Sequence, residues 1–228
     1  MKSRIALLAI PSLVLAACGS RGGNGPGAIP APQQIDPAIE TEAVSSTART
    51  APVQILFSWN VTDRDARFTG EGVARVAPPD RARVDLFGPR GEGYLSAVVE
   101  GDELRLPSGA ANVPLPPPEL FWNVLGSFRP PDGAELVGAA RDNTTTRLEY
   151  ANGDDRWKFT LEDGTLRRAE WTGDGQGRRT VELTGRDSLG LPIGATYRDW
   201  PAFLELRLTT KEVRNVNGFP SEIWTLRR

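Results

Sequence analysis

The sequence predicts an all-β-dominated domain: an antiparallel, strongly curved sheet or barrel of about eleven strands with one short helix. Three observations carry this. From Val53 onward, charged and apolar residues alternate in short runs, as in Arg81-Ala82-Arg83-Val84-Asp85-Leu86, Arg156-Trp157-Lys158-Phe159-Thr160-Leu161-Glu162 and Leu204-Glu205-Leu206-Arg207-Leu208. Period two puts one face of each strand inward and the other in water, the pattern of an antiparallel sheet. The runs are separated by Glu100-Gly101-Asp102, Asn152-Gly153-Asp154 and Asp163-Gly164, whose residue types tolerate the positive φ of tight hairpins. About eleven such runs fit between Val53 and Leu226, joined by turns rather than by crossover helices, which excludes βαβ units.

The elements follow in order from the N-terminus. Lys2 and Arg4 precede a short apolar run, Ile5 to Ala17, broken by Pro11 and Ser12. A permanent membrane span needs about 20 apolar residues, so residues 1–17 read as a secretory leader. The run ends in Leu15-Ala16-Ala17-Cys18, which resembles the lipobox of bacterial lipoproteins. That resemblance implies removal of the leader and acylation of Cys18 by fatty acids of the palmitate type. Cys18 is the only cysteine, so the fold has no disulfide and depends on an apolar core. Gly19 rather than Asp follows it, which under the bacterial sorting rule implies the periplasmic side of the outer membrane. Residues 18–50 then read as the lipidated cysteine and a flexible tether, rich in Gly, Pro, Ala, Ser and Thr. Part of Asp36 to Thr47 is the one piece of it suited to a short helix. Residues 51–228 form the folded domain.

Within that domain one segment breaks the alternation. After Pro114 to Pro118, Glu119-Leu120-Phe121-Trp122-Asn123-Val124-Leu125-Gly126 places Leu120, Phe121, Val124 and Leu125 at helical spacing, with Glu119 near the start and Gly126 at the end. Such a helix is either a movable lid over an apolar cavity or a fixed plug completing the core.

A leader with a lipobox, a tether, antiparallel strands and a Pro-led helix together resemble the LolA/LolB-type lipoprotein localisation proteins. The resemblance is carried by Gly70-Glu71-Gly72-Val73-Ala74-Arg75-Val76 and by Arg81-Ala82-Arg83-Val84-Asp85-Leu86-Phe87-Gly88-Pro89-Arg90-Gly91-Glu92: a strand, then a strand leading into a protruding turn. It implies an incomplete (half) barrel whose concave face takes acyl chains of lipoproteins or lipids, with a periplasmic carrier protein as the donor of cargo. Val84, Leu86, Leu95, Leu104, Leu106, Trp157 and Phe159 are then candidates to line the cavity, beneath a lid of Leu120, Phe121, Val124 and Leu125. The protruding turn is Gly88-Pro89-Arg90-Gly91. Where LolB-like proteins carry an exposed apolar residue in that turn, this chain has Arg90, a poor membrane wedge; Phe87 flanks it.

Composition argues against an enzyme. The chain has no histidine, which removes Ser-His-Asp and Cys-His catalysis and imidazole metal sites. The carboxylate pairs Asp102 with Glu103 and Asp154 with Asp155 fall in hairpin turns, where acidic residues serve turn geometry and solubility. Gly88-Pro89-Arg90-Gly91-Glu92-Gly93 joins two strands and opens no helix, so it lacks the amides and dipole of a phosphate loop. No cofactor or metal is expected. Losing Lys2 and Arg4 takes the formal charge from −2 to −4, which gives no footprint for nucleic acid. Of the six tryptophans, Trp59, Trp157, Trp171 and Trp224 fall in expected strands, Trp122 on the helix and Trp200 at a strand end. Each is either core or the wall of a lipid cavity. The rival to acyl binding is a structural or adaptor lipoprotein with a packed interior and a protein partner.

Overall fold

The computed structural model describes residues 36–108, 114–173 and 177–226. The leader, Cys18 and Gly19 lie outside the described residues. A helix α1 (Pro37–Thr47) precedes five strands, β1 (Val53–Asp63), β2 (Ala66–Ala77), β3 (Arg81–Phe87), β4 (Gly93–Glu100) and the short β5 (Glu103–Arg105). Helix α2 (Pro118–Val124) follows. Seven further strands complete the chain: β6 (Glu135–Asp142), β7 (Thr145–Asn152), β8 (Asp155–Glu162), β9 (Thr165–Gly173), β10 (Gly177–Thr184), β11 (Gly194–Asp199) and β12 (Leu204–Asn215). All twelve belong to one antiparallel sheet in the order β5-β4-β3-β2-β1-β12-β11-β10-β9-β8-β7-β6. The sheet curls without closing, and its free edges are β5 and β6.

The count is twelve rather than eleven, and the region of Trp224 differs from expectation. Ser221–Trp224 is a single 3-10 turn, not a strand. Pro220, which lacks an amide proton, stands at its entrance and removes a ladder donor where the sheet would otherwise continue.

Alternation decides the burial. Along β1, Val53, Ile55, Phe57, Trp59 and Val61 are buried and the intervening residues are half-buried. The turns are short because their residues accept left-handed backbone: Asp163 (φ 48) and Gly164 (φ 70) make the two-residue β8–β9 turn, as primed hairpin turns require. Register shifts at Leu56/Phe57, Leu86/Phe87, Leu136/Gly138 and Thr160/Leu161 bend the strands and so add curvature to the sheet.

Two glycines flagged by the Gly-Glu-Gly pattern have a packing reason. Gly72 pairs with Phe57 and Gly70 with Trp59, and the rings lie over the bare Cα positions. A Cβ on Gly72 would sit 2.3 Å from the Phe57 ring. Trp59 is held there by its Nε1, which donates to the carbonyls of Glu71 at 3.0 Å and Phe87 at 3.2 Å.

Helix α1 forms because Asp36 caps it, its carboxylate accepting from the Ala38 amide at 2.9 Å, with Pro37 in the first turn. It docks through Ala43, Thr47 and Ile39. The Tyr150 hydroxyl donates to Glu40 at 2.7 Å, and burial together with that carboxylate pushes the phenol's pKa up.

On the convex side, Asp85 is a buried charge with its partners built in. Arg75 approaches at 2.6 Å, Arg83 at 2.8 Å and the Ser96 hydroxyl at 2.7 Å. Arg83 also donates to the Ile223 carbonyl at 2.6 Å, and the Arg81 guanidinium lies 5.5 Å from the Trp224 ring. The C-terminal segment is thereby fastened across the back of β3. Burial alone would raise the Asp85 pKa. The hydrogen bonds from Arg83 and Ser96 and the charges of Arg83 and Arg75 outweigh burial and hold it below the usual carboxylate value.

Two predictions follow from this packing. Gly72→Ala overpacks the Phe57 contact and lowers unfolding stability by about 1–3 kcal/mol, read as a lower urea midpoint. Asp85→Asn costs about 1–3 kcal/mol at pH 7 by leaving charged donors unpaired. A depressed folded-state pKa stabilises above the unfolded value and is lost as pH falls through the folded one. The stability gap between Asp85→Asn and the native chain therefore begins to narrow as pH falls through the unfolded carboxylate value of roughly 3.9 and closes only below the depressed folded-state pKa.

Candidate functional site

Strands β5 and β6 follow each other in sequence but lie at opposite edges, so the connection between them has to cross the open side. That connection carries α2. It starts at Pro117 with no side-chain cap, the Leu120 amide donating to the Pro117 carbonyl at 2.9 Å. It ends at Gly126 (φ 84), where the amides of Gly126 and Ser127 donate to Asn123 and Trp122 at 2.9 and 3.1 Å. The positive φ is one reason for glycine there; the other is Pro192, 2.8 Å from where a Cβ would stand.

From Leu120 onward the helix is buried on every side. Leu120, Phe121, Trp122, Asn123 and Val124 are all buried, which marks a helix inside a core rather than one on a surface. Trp122 Nε1 donates to the Gly101 carbonyl at 2.9 Å, and Arg129 stacks 5.8 Å from the same ring while pairing with Asp102 at 3.3 Å. Asn123 is wholly buried; its amide donates to the Ser127 carbonyl at 3.1 Å and its Oδ1 has no partner.

Between α2 and the sheet lies an apolar cavity of about 40 Å³. Phe121, Val124 and Leu125 form its lid side, and Ile55, Phe57, Ala74, Val84, Leu86, Ala195, Leu206 and Leu208 its floor, with Leu115, Pro116, Leu191 and Pro192 around it. The only hydroxyl on the wall, Thr210, is already committed to the Pro192 carbonyl at 2.7 Å. No ionisable side chain lines the space, so it can exclude water and accept hydrocarbon but cannot move a proton.

Of the residues singled out in the sequence, Phe121, Val124, Leu125, Val84 and Leu86 meet around this cavity. Leu120 points into the core instead, with no exposure. Leu95 is buried beside Leu86 on β4, and Leu104 and Leu106 pack half-buried against the core. Trp157 and Phe159 stand on the other arm, in β8; Phe159 stacks on Phe128 and Tyr150 at 4.9 and 5.8 Å. The floor residues from β1, β11 and β12 were not singled out. Their alternation marks them as inward-facing, but only the pairing of β1 with β12 brings them under α2.

The turn Gly88-Pro89-Arg90-Gly91 is tight. The Gly88 amide donates to the Glu92 carbonyl at 2.8 Å, the Gly91 amide to the Gly88 carbonyl at 2.9 Å, and the Arg90 amide to the Glu92 carboxylate at 3.0 Å. Arg90 itself is almost fully exposed. Asp102 and Asp154 fall in hairpin turns, and Asp102 is engaged with Arg129. No cluster of three or more metal-ligating side chains occurs among the described residues.

Solved structures share this architecture. A LolA superfamily protein from Nitrosomonas europaea superposes with a TM-score of 0.56 at 12% identity, over 83% of this chain and 97% of that one. The fold is LolA/LolB-like. A putative outer membrane lipoprotein-sorting protein domain from Vibrio parahaemolyticus gives 0.53 at 10% identity, over 82% and 94%. A DUF1329 family protein from Desulfovibrio piger gives 0.51 at 8%, over 83% and 96%. No family model and no curated protein matches the sequence. At these identities the likeness is one of LolA/LolB-like fold.

The cavity makes a stability prediction. Ala195→Val, whose added methyls face the void on a strand that favours β-branched residues, is neutral or stabilising. Ala169→Val, at a fully buried site away from the cavity, costs about 1–3 kcal/mol. Denaturant midpoints of the two variants check this.

Proposed function

We propose that the chain is a lipoprotein, anchored through acylated Cys18 on the periplasmic side of the outer membrane, whose half-barrel takes up an acyl chain of a lipoprotein or lipid delivered by a periplasmic carrier. The observation that carries this reading is the apolar cavity beneath α2 within a LolA/LolB-like fold. At about 40 Å³ it is far smaller than the roughly 300–1,000 Å³ of ordinary ligand pockets. Uptake therefore requires α2 to move, with the chain replacing Phe121, Val124 and Leu125 against the floor. Features of α2 lower the cost of that exchange: it has seven residues, no side-chain cap and a buried Asn123 oxygen without a partner. No covalent step is involved. The acyl chain leaves one apolar environment for another, and each Å² kept from water is worth about 25 cal/mol.

The small cavity also favours a second reading, an adaptor with a permanently packed interior. A fluorescent diacyl lipopeptide titrated onto residues 36–228, which contain every described helix and strand, separates the two. Acyl uptake predicts saturable binding that tightens about fivefold in Trp122→Phe, because the closed state loses a hydrogen bond of about 1 kcal/mol. If neither chain binds, the adaptor reading stands.

A further inference from the structure

The barrel has two ends, and their surfaces differ. At one, called the rim here, lie the β1–β2 turn at Arg64 and Asp65, the β3–β4 turn at Gly88–Glu92, and the β11–β12 turn at residues 200–203. Among the described residues, eight large hydrophobic side chains are exposed. The four aromatic ones, Phe68, Tyr94, Trp200 and Phe203, all belong to the rim, whereas Leu189 and Ile193 occupy the far end. Phe203 is the most exposed at 71%. It is held outward at φ 55, a left-handed conformation that is an outlier for a bulky side chain, and the Arg64 amide fixes its carbonyl at 3.1 Å. A site under selection for stability alone would carry Gly or Asn there.

Arginines are interleaved with these rings. Arg64 and Arg67 make no ion pair among the described residues, and the Arg178 guanidinium lies 4.9 Å from the Trp200 ring. Trp200, Phe203, Arg64 and Arg198 border an open groove of about 620 Å³. Asp63, Asp65 and Glu92 stand in the same turns, so the rim is not strongly cationic. Its distinguishing content is aromatic surface with guanidinium groups beside it, the combination favoured where a protein meets the headgroup layer of a bilayer.

The chain's point of entry agrees. Helix α1 begins toward the rim, with Glu40 at Tyr150 close to the β7–β8 turn, and ends at the far end with Ser46 against Gly164. Residue 36 therefore joins the fold from the rim side.

We infer that the rim is a membrane-contact surface: Trp200, Phe203, Phe68 and Tyr94 seat in the headgroup layer of a phospholipid bilayer, and Arg64 and Arg67 meet lipid phosphates. Only the direction of approach rests on the lipid-anchored reading; the surface itself does not. The contact holds the half-barrel end-on to the membrane instead of leaving it at the end of a loose tether.

The test is co-sedimentation of residues 36–228, which lack Cys18, with vesicles of phosphatidylethanolamine and a minority of phosphatidylglycerol. The native sequence is expected to partition onto them. Trp200→Ser combined with Phe203→Gly, the latter suited to φ 55, lowers the partition coefficient about tenfold or more. Leu189→Ser with Ile193→Ser at the far end leaves it unchanged. Absence of vesicle binding, equal binding by the rim variant, or an equal loss from the far-end variant overturns the inference. Lipopeptide uptake without vesicle binding would keep the proposed function and discard the rim.

Discussion

The arrangement depends on the pairing of β1 with β12. Eleven register pairs join the two strands from Val53–Asn215 to Asp63–Leu204, and this one contact unites an N-terminal meander of five strands with a C-terminal one of seven. Once it is made, the strands that are consecutive in the chain, β5 and β6, become the far edges of a curved sheet. The segment between them has no route except across the open side. An apolar helix on that route is buried by necessity, and whatever space the sheet leaves becomes the cavity. The floor (Phe57, Leu206) and the lid (Phe121, Val124) are thus placed by a single long-range closure.

Curvature is the second requirement, and it is local. A flat sheet of twelve strands would leave α2 outside. Phe57 and Trp59 can lean over β2 because Gly72 and Gly70 offer no Cβ, and the extra residue Lys211 opposite Leu56 and Phe57 bends β12 at the same place. Extra residues in β4 (Tyr94), β6 (Val137) and β9 (Arg167) repeat the device around the arc. Convex charges follow the opposite logic: Asp85, with two arginines and a serine around it, is satisfied in place and ties down the C-terminal segment.

Much of this was legible in the sequence because its signals are local. Alternation in Arg156–Glu162 or Leu204–Leu208, and turn residues such as Asp163-Gly164, report on neighbours two to four residues away and therefore gave the strands and hairpins. The position of α2 was readable from Leu120, Phe121, Val124 and Leu125, but its depth was not: nothing in the spacing marks Asn123 as buried, and the crossing from β5 to β6 buries it. Trp157 and Phe159 look as eligible for a cavity wall as Val84 and Leu86. What separates them is where along the arc the cavity falls, a property of sheet order that spacing does not encode. Trp224 failed as a strand because Pro220 outweighs the aromatic β-propensity around it.

The apolar lining, the small void and the aromatic end bear on one another. A half-barrel that exposed its concave face would present a large apolar patch to water, and such patches invite association with other chains. Burying α2 in the concavity removes that hazard and leaves only about 40 Å³ empty, so any acyl chain must compete with the protein's own side chains. That competition is close to balanced in area, because hydrocarbon replaces hydrocarbon against the same floor. Its outcome is then decided by what α2 loses on leaving, chiefly the Trp122 bond to Gly101 and the packing of Leu120, set against the relief of the buried Asn123 oxygen. A surface that holds the barrel end-on at a bilayer adds to this balance without touching the cavity: it raises the local concentration of acyl chains, which favours exchange where hydrocarbon is available and leaves the closed form dominant elsewhere.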